Sequence, residues 1–126
     1  MTRINLVPPS ELCRQHLIAE AHEIVRIFGL ARKAQWDVMR GKVEIPKEYV
    51  LGTGHCKMFY NKLKFIHERY LSLTQEMRNR GYNVNQIPCN ELLDKIDKKL
   101  YQDYTPTKEA IELNRKRIAE RMPKSA

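Results

Sequence analysis

Cysteine is scarce and poorly placed for chemistry. Cys13, Cys56 and Cys89 are an odd number at irregular spacing, with no CxxC. They cannot build a disulfide framework or a zinc site, and His16, His22, His55 and His67 add no metal-ligand spacing to them. Free thiols in a reducing compartment are the expectation. Long apolar runs are also missing: apolar residues come in twos and threes, too short to cross a bilayer. Met1-Thr2-Arg3-Ile4-Asn5 has no apolar stretch of a secretory signal, so neither export nor membrane insertion is expected. Absent too are a Gly-x-Ser-x-Gly elbow, a Walker loop, a zincin motif, internal repeats and low-complexity tracts. Acidic residues are outnumbered, 15 against 23 Lys and Arg, which leaves a net charge of +8. An excess of that size favours a polyanionic partner, of which nucleic acid is the usual one.

What is present is an ordinary globular composition: 126 residues, 42% hydrophobic and 30% charged. The length suits one domain, residues 1–126, large enough to bury a core without a metal or disulfide staple. Helical periodicity dominates. With Ser10 as N-cap, a pattern runs from Glu11 to Arg40, and Leu17, Ala21, Ile24, Phe28 and Ala31 form one apolar stripe. Gly29 is the residue expected to bend it. A loop with Pro46 covers residues 41–50. The second helix is expected from His55 to Arg80, closed by Gly81, with the stripe Phe59, Leu63, Ile66, Tyr70, Leu73 and Met77. After a mixed stretch with a short helix near 90–100, a third helix follows Pro106 and reaches Arg121, with Ile111 and Ile118 one heptad apart. The expected fold is all-α, three main helices around one core.

Three places could carry chemistry. At 100° per residue, Glu23 projects on the flank of the first helix near His16, while His22, Arg26 and Lys33 point away from the core. From spacing alone that sector reads first as a solvated face with i,i+3 and i,i+4 pairs, and second as a carboxylate edged by cations. Arg117 and Arg121 are i,i+4 neighbours beside Arg115 and Lys116; they repel on a bare helix and would be favoured against a phosphate backbone, although Glu109, Glu112 and Glu120 partly compensate. Gly52-Thr53-Gly54 is either a turn or a phosphate cradle ahead of a helix. No conventional nucleophile stands out. Thr2, however, is small enough to permit removal of Met1, and a free α-amine with a reference pKa near 7.7–8.0 can attack an electrophilic sugar carbon.

The order of these residues resembles one family. Met1-Thr2-Arg3-Ile4-Asn5-Leu6 is followed by Gln15-His16-Leu17, Ala19-Glu20, Glu23, Arg26 and Phe28-Gly29. Then come Arg32-Lys33, Leu51-Gly52-x-Gly54-His55, Phe59-Tyr60-x-Lys62-Leu63, Arg80-Gly81 and Asp103-Tyr104-x-Pro106. Together they resemble the phage endonuclease V-type pyrimidine-dimer DNA glycosylases over nearly the whole chain. The resemblance implies an all-α repair enzyme with glycosylase and apurinic/apyrimidinic lyase activity on cyclobutane pyrimidine dimers. It implies a Thr2 amine nucleophile that forms a Schiff base, with Glu23 as the catalytic carboxylate. Arg3, His16, His22, Arg26, Arg32, Lys33, Arg117 and Arg121 become the DNA-binding set. The partner implied is lesion-bearing duplex DNA, bound by a monomer that needs no metal or cofactor and works in the cytoplasm of a bacterium or phage-infected cell. It also implies that a base opposite the dimer is flipped out.

Some positions depart from the family. His22 stands where members often carry Arg, and Met58-Phe59-Tyr60 where they carry two aromatics before the Tyr. Residues 122–126 lack the aromatic tail associated with lesion recognition. Two alternatives therefore stand beside dimer repair: excision of another damaged base or action on abasic sites, and a DNA-binding module without catalysis. An RNA-binding helical module lacks the aromatic platform it would need.

Overall fold

The computed structural model describes residues 3–122. Among them there is no strand, and the fold is all-α. A 3-10 turn, Pro9–Glu11, precedes α1 (Arg14–Glu23) and α2 (Arg26–Met39). An irregular stretch with a 3-10 turn at Lys57–Phe59 leads to α3 (Leu63–Asn79). The single turn α4 (Cys89–Leu92), a 3-10 turn at Lys98–Leu100 and α5 (Lys108–Glu120) complete the order.

The stripes do what their spacing requires. Leu17, Ala21, Ile24, Phe28 and Ala31 are buried, as are Phe59, Leu63, Ile66, Tyr70, Leu73 and Met77. α1 packs on α3, and one hydrophobic cluster takes residues from Ile4 through Ala110. Each fully buried Leu, Ile or Phe contributes about 1.5–3 kcal/mol against staying in water. α3 ends as its sequence indicates. Gly81 adopts φ +85°, its N–H donates to Arg78 O, and Tyr82 N–H donates to Met77 O, so a left-handed residue closes the last carbonyls. At the other end of the chain Pro106 stops the preceding segment, and Thr107 Oγ1 accepts from Ala110 N–H at 3.0 Å to start α5.

Four boundaries differ from expectation. The first helical segment is two helices, so four helices of ten residues or more replace three. It breaks at Ile24-Val25, where two β-branched residues follow each other and Ile27 N–H reaches back only to Ile24 O; Gly29 sits unbent inside α2. Ser10 lies in the 3-10 turn and does not cap α1, whose N-cap is Cys13 without a side-chain bond. α3 starts at Leu63, eight residues after His55, because residues 52–62 form turns. That separation also removes the phosphate-cradle reading of Gly52-Thr53-Gly54. Gly54 is instead a close-approach glycine: φ is +89° and an added Cβ would lie 3.3 Å from the Pro46 side chain. On α5, Ala110 and Asn114 face the core, with Ile111 and Ile118 half-buried beside them.

The N-terminal segment sets the architecture. Ile4, Asn5, Leu6 and Val7 are buried outside any helix, with a bend at Val7 and no strand beside them among the described residues. Their backbone N–H groups must find partners elsewhere. His55 Nε2 takes Ile4 N–H at 2.8 Å, and Glu20 Oε2 takes Asn5 N–H at 3.3 Å. Asn114 Oδ1 takes both Leu6 N–H at 2.6 Å and Val7 N–H at 3.3 Å, while its amide donates to Asn5 Oδ1 at 2.8 Å. Carbonyls are served as well: Tyr49 Oη donates to Ile4 O at 2.7 Å, and Arg69 Nη1 donates to Val7 O.

Asn114→Leu keeps the volume and removes all three bonds. It is expected to cost about 3 kcal/mol, because buried donors left unpaired carry their full desolvation cost. The midpoint of urea unfolding measures it.

Candidate functional site

The same segment places a cleft. Ile4 enters the core, while Arg3 and Asn5 on either side of it line the cleft. α1 supplies His16, Glu20 and Glu23, which recur every three or four residues and share a face. α5 supplies Arg117, Ile118 and, at its C-cap, Arg121. The space they enclose is about 170 Å³.

Beneath the cleft lies a complete ion pair. Arg69 is bidentate to Glu20, Nε to Oε2 at 2.8 Å and Nη2 to Oε1 at 2.9 Å. Asn5 donates its amide to the same Oε1 at 2.7 Å. Both side chains are almost wholly buried, at 7% and 1% exposure, and each Glu20 oxygen accepts two bonds. Removing one partner of such a pair leaves an uncompensated buried charge, typically 3–5 kcal/mol. Glu20 is therefore committed to structure, and Glu23 is the carboxylate presented at the rim. Glu23 Oε2 accepts from Arg26 Nη1 at 3.1 Å, a half-exposed contact across the α1–α2 break.

Positive charge crowds the opposite wall. Burial, then the guanidinium of Arg117 and that of Arg121, pull Arg3 below its ordinary pKa; the Tyr49 phenol acts the other way. Arg117 reaches Glu120 only at 3.5 Å, and its Nε is the buried side-chain polar atom left without a partner among the described residues. Three guanidinia held together with an unused donor form a ready site for an anion. His16 Nε2–H donates to Arg121 O at 3.0 Å and fastens the end of α5 to α1.

The remaining expected site residues lie elsewhere. His22 is exposed on the far side of α1, where it lines a second pocket of about 220 Å³ with Val25, Tyr70, Met77, Val84 and Ile87. Arg32 is occupied: Nε donates to Asp94 O at 2.7 Å and Nη2 to Leu92 O at 2.8 Å, which pins the chain after α4. Lys33 is exposed on α2. Thr2 lies outside the described residues, as does the end of the chain from Pro123 on. Cys13, Cys56 and Cys89 are all free thiols, and no helix among the described residues is long and apolar enough to cross a membrane. No group of three His, Cys, Asp or Glu among them could hold a metal.

His55, Asn5, Asn114, Tyr49 and Arg69 position the cleft, and the sequence reading assigned them no role. His55 has one tautomer that fits: Nδ1–H donates to Val50 O at 2.8 Å, so Nε2 is the acceptor for Ile4 N–H. Tyr49 and Phe59 meet the imidazole edge-on at 5.3 and 5.7 Å. Burial also pushes the Tyr49 phenol well above its ordinary range.

A basic cleft with one rim carboxylate among the described residues has the charge to take a phosphate group and a carboxylate beside it. Residues 1–87 match the family model described as pyrimidine dimer DNA glycosylase, and the chain belongs to that family. Membership makes it a DNA repair glycosylase with DNA as its substrate. α5, which brings Asn114, Arg117 and Arg121, comes from beyond the matched residues.

His55 gives the fold a defined acid sensitivity. Burial holds its pKa below the ordinary 6.5, the Val50 carbonyl opposes this, and Arg3 adds to the lowering. The neutral ring is thus favoured on folding. Its contribution is whole above about pH 6.5 and is lost as pH falls through the lower folded value. Urea midpoints between pH 7.5 and pH 5 should fall more steeply for the unmodified protein than for His55→Gln, which is less stable at the upper end.

Proposed function

We propose that the chain is a cyclobutane pyrimidine-dimer glycosylase with lyase activity, in which the α-amine of Thr2 is the nucleophile once Met1 has been removed. The observation that carries this reading is the cleft. Glu23 and the guanidinia of Arg117 and Arg121 converge on Arg3, and Thr2 is one peptide bond from Arg3.

The amine nitrogen attacks C1′ of the dimer's 5′ nucleotide, and the C1′–N1 bond breaks with its electron pair going to the base, which takes up a proton. The freed base stays joined to its 3′ neighbour through the cyclobutane ring. Loss of a proton from nitrogen and opening of the C1′–O4′ bond, whose oxygen keeps the electron pair and takes up a proton, give the imine. Abstraction of a C2′ proton then expels the 3′ phosphate, and water releases the enzyme. Glu23 stabilises positive character at C1′ and moves protons at nitrogen and C2′. Arg3, Arg117 and Arg121 hold the phosphates on either side, and each phosphate neutralised releases condensed counterions. Arg26 holds the Glu23 carboxylate in place through their contact at 3.1 Å. His16 acts through the end of α5, and Arg32 through the loop it pins. A single domain of 1–126, working as a monomer, suffices for this scheme.

The second pocket suits a displaced base. It has apolar walls, and Asn83 and Asn85 supply polar groups at its edge. A dimer weakens pairing and bends easily, so moving a base there costs least at the lesion.

Borohydride trapping on a duplex with one cyclobutane thymine dimer tests the reaction. A covalent adduct is expected with protein whose measured mass lacks Met1, and Glu23→Gln should abolish base release while DNA binding persists. Adducts with an abasic duplex alone would point to another lesion, and no adduct at all to a DNA-binding module without catalysis. Separately, Arg121→Ala should weaken binding evenly across sequences and flatten the salt dependence by about one unit. An unchanged slope would remove Arg121 from the phosphate contacts.

A further inference from the structure

Tyr49 and His55 hold one residue of the N-terminal segment by both polar groups of its backbone. His55 Nε2 takes Ile4 N–H at 2.8 Å, and Tyr49 Oη donates to Ile4 O at 2.7 Å. Asn5, Leu6 and Val7 are tied elsewhere, to Glu20 of α1, Asn114 of α5 and Arg69 of α3. Among the described residues the Ile4 bonds are the first that the backbone makes, two positions after Thr2.

The clamp itself has little freedom. Tyr49 and His55 are 5% and 4% exposed, and their rings meet edge-on at 5.3 Å. Val50 O fixes the imidazole from its other edge, accepting from Nδ1–H at 2.8 Å. Phe59 packs against both rings, 6.4 Å from Tyr49 and 5.7 Å from His55, and stacks in turn on Phe65. Anchoring Ile4 in the core does not call for this, because its side chain is wholly buried and Glu20, Asn114 and Arg69 already bind the segment. What the two bonds add is orientation. They fix the planes of the peptides on either side of Ile4, and one of those peptides joins it to Arg3. Misplacing a reacting group by about 1 Å costs on the order of a hundredfold in rate, so orientation is worth holding beside a nucleophile.

One half of the clamp titrates. A protonated imidazole carries N–H at both nitrogens and cannot accept from Ile4 N–H. Arg3 faces the ring from the segment and Tyr49 from the loop. Glu20 of α1 and Arg69 of α3 act on Tyr49 and neutralise each other. The ring's pKa lies below the ordinary 6.5, chiefly through burial, so the bond is lost only on acidification. The bonds of Asn5, Leu6 and Val7 do not pass through this ring.

We infer that Tyr49 and His55 are positioning residues for the nucleophile: by holding both polar groups of Ile4 they set the direction in which the chain delivers the Thr2 amine to Glu23, and protonation of His55 releases that hold while the fold and the phosphate grip persist. The inference rests on the reading of Thr2 given above.

Unmodified protein, Tyr49→Phe and His55→Gln are compared by single-turnover cyanoborohydride trapping on a saturated abasic duplex between pH 7.5 and pH 5. Affinity for a tetrahydrofuran duplex is followed by anisotropy, the fold by circular dichroism, and the adduct is mapped to its residue. Tyr49→Phe keeps the ring and deletes one bond; it should trap about tenfold more slowly with affinity unchanged. His55→Gln supplies an oxygen that can accept from Ile4 N–H and does not titrate. Protonation of the amine slows both proteins alike, so the rate of unmodified protein relative to His55→Gln is the quantity read, and it should fall severalfold on acidification. Tyr49→Phe with an unchanged rate, or with rate and affinity lowered together, would overturn the positioning role. A constant ratio across the pH range would remove His55 protonation from it. No adduct on Thr2 of the unmodified protein would overturn the nucleophile reading and this inference with it.

Discussion

A buried irregular segment with no strand beside it among the described residues is the constraint on which this molecule is organised. Inside a sheet, Ile4 to Val7 would pair with backbone. Here side chains from four directions replace the missing ladder: Glu20 from α1, His55 and Tyr49 from the irregular stretch before α3, Arg69 from α3 and Asn114 from α5. Each of those elements is thereby placed relative to the N-terminal segment. The cleft is a result of that placement, since α1 and α5 meet across Arg3 and Asn5.

The charge distribution follows from the same arrangement. Glu20 is spent on Arg69 and Asn5, so the negative charge closest to the segment is neutralised internally. Among the described residues, Arg3, Arg117 and Arg121 then face one another with too few carboxylates to balance them, and Arg117 Nε has no partner there. A folded state that tolerates this gains little from the contact by itself. Anion binding would relieve the repulsion and satisfy the donor, and membership of a DNA glycosylase family agrees with a phosphate polymer as that anion.

The helices and their inner faces were legible because period 3.6 is a local signal; every residue of the two long stripes is buried. The break at Ile24-Val25 was not, because the stripe passes through it without losing register. Polar residues of the segment's clamp were harder still, since their partners are 15 to 109 positions away. Two of them did leave a trace. Glu20 falls among Leu17, Ala21 and Ile24, and Arg69 among Ile66, Tyr70 and Leu73, so opposite charges occupy core positions on two helices. That coincidence is a signature of a buried ion pair. Asn114 offered less, as a lone amide between Ile111 and Ile118 reads as surface. The convergence of Arg3, Glu23, Arg117 and Arg121 could be suspected from family resemblance, but periodicity alone could not join α1 to α5.

Contacts that distant bear on how the chain is made. Leu6 and Val7 bond to a residue more than 100 positions later. At ribosomal rates of about 5–20 residues per second, Asn114 is polymerised on the order of ten seconds after them. Throughout that interval the segment has no acceptor for two of its amides, and the arginines of α5 do not yet exist. The cleft therefore cannot close before α5 has followed: the segment that forms one wall is made long before its partner, and until then Arg3 stands without Arg117 and Arg121.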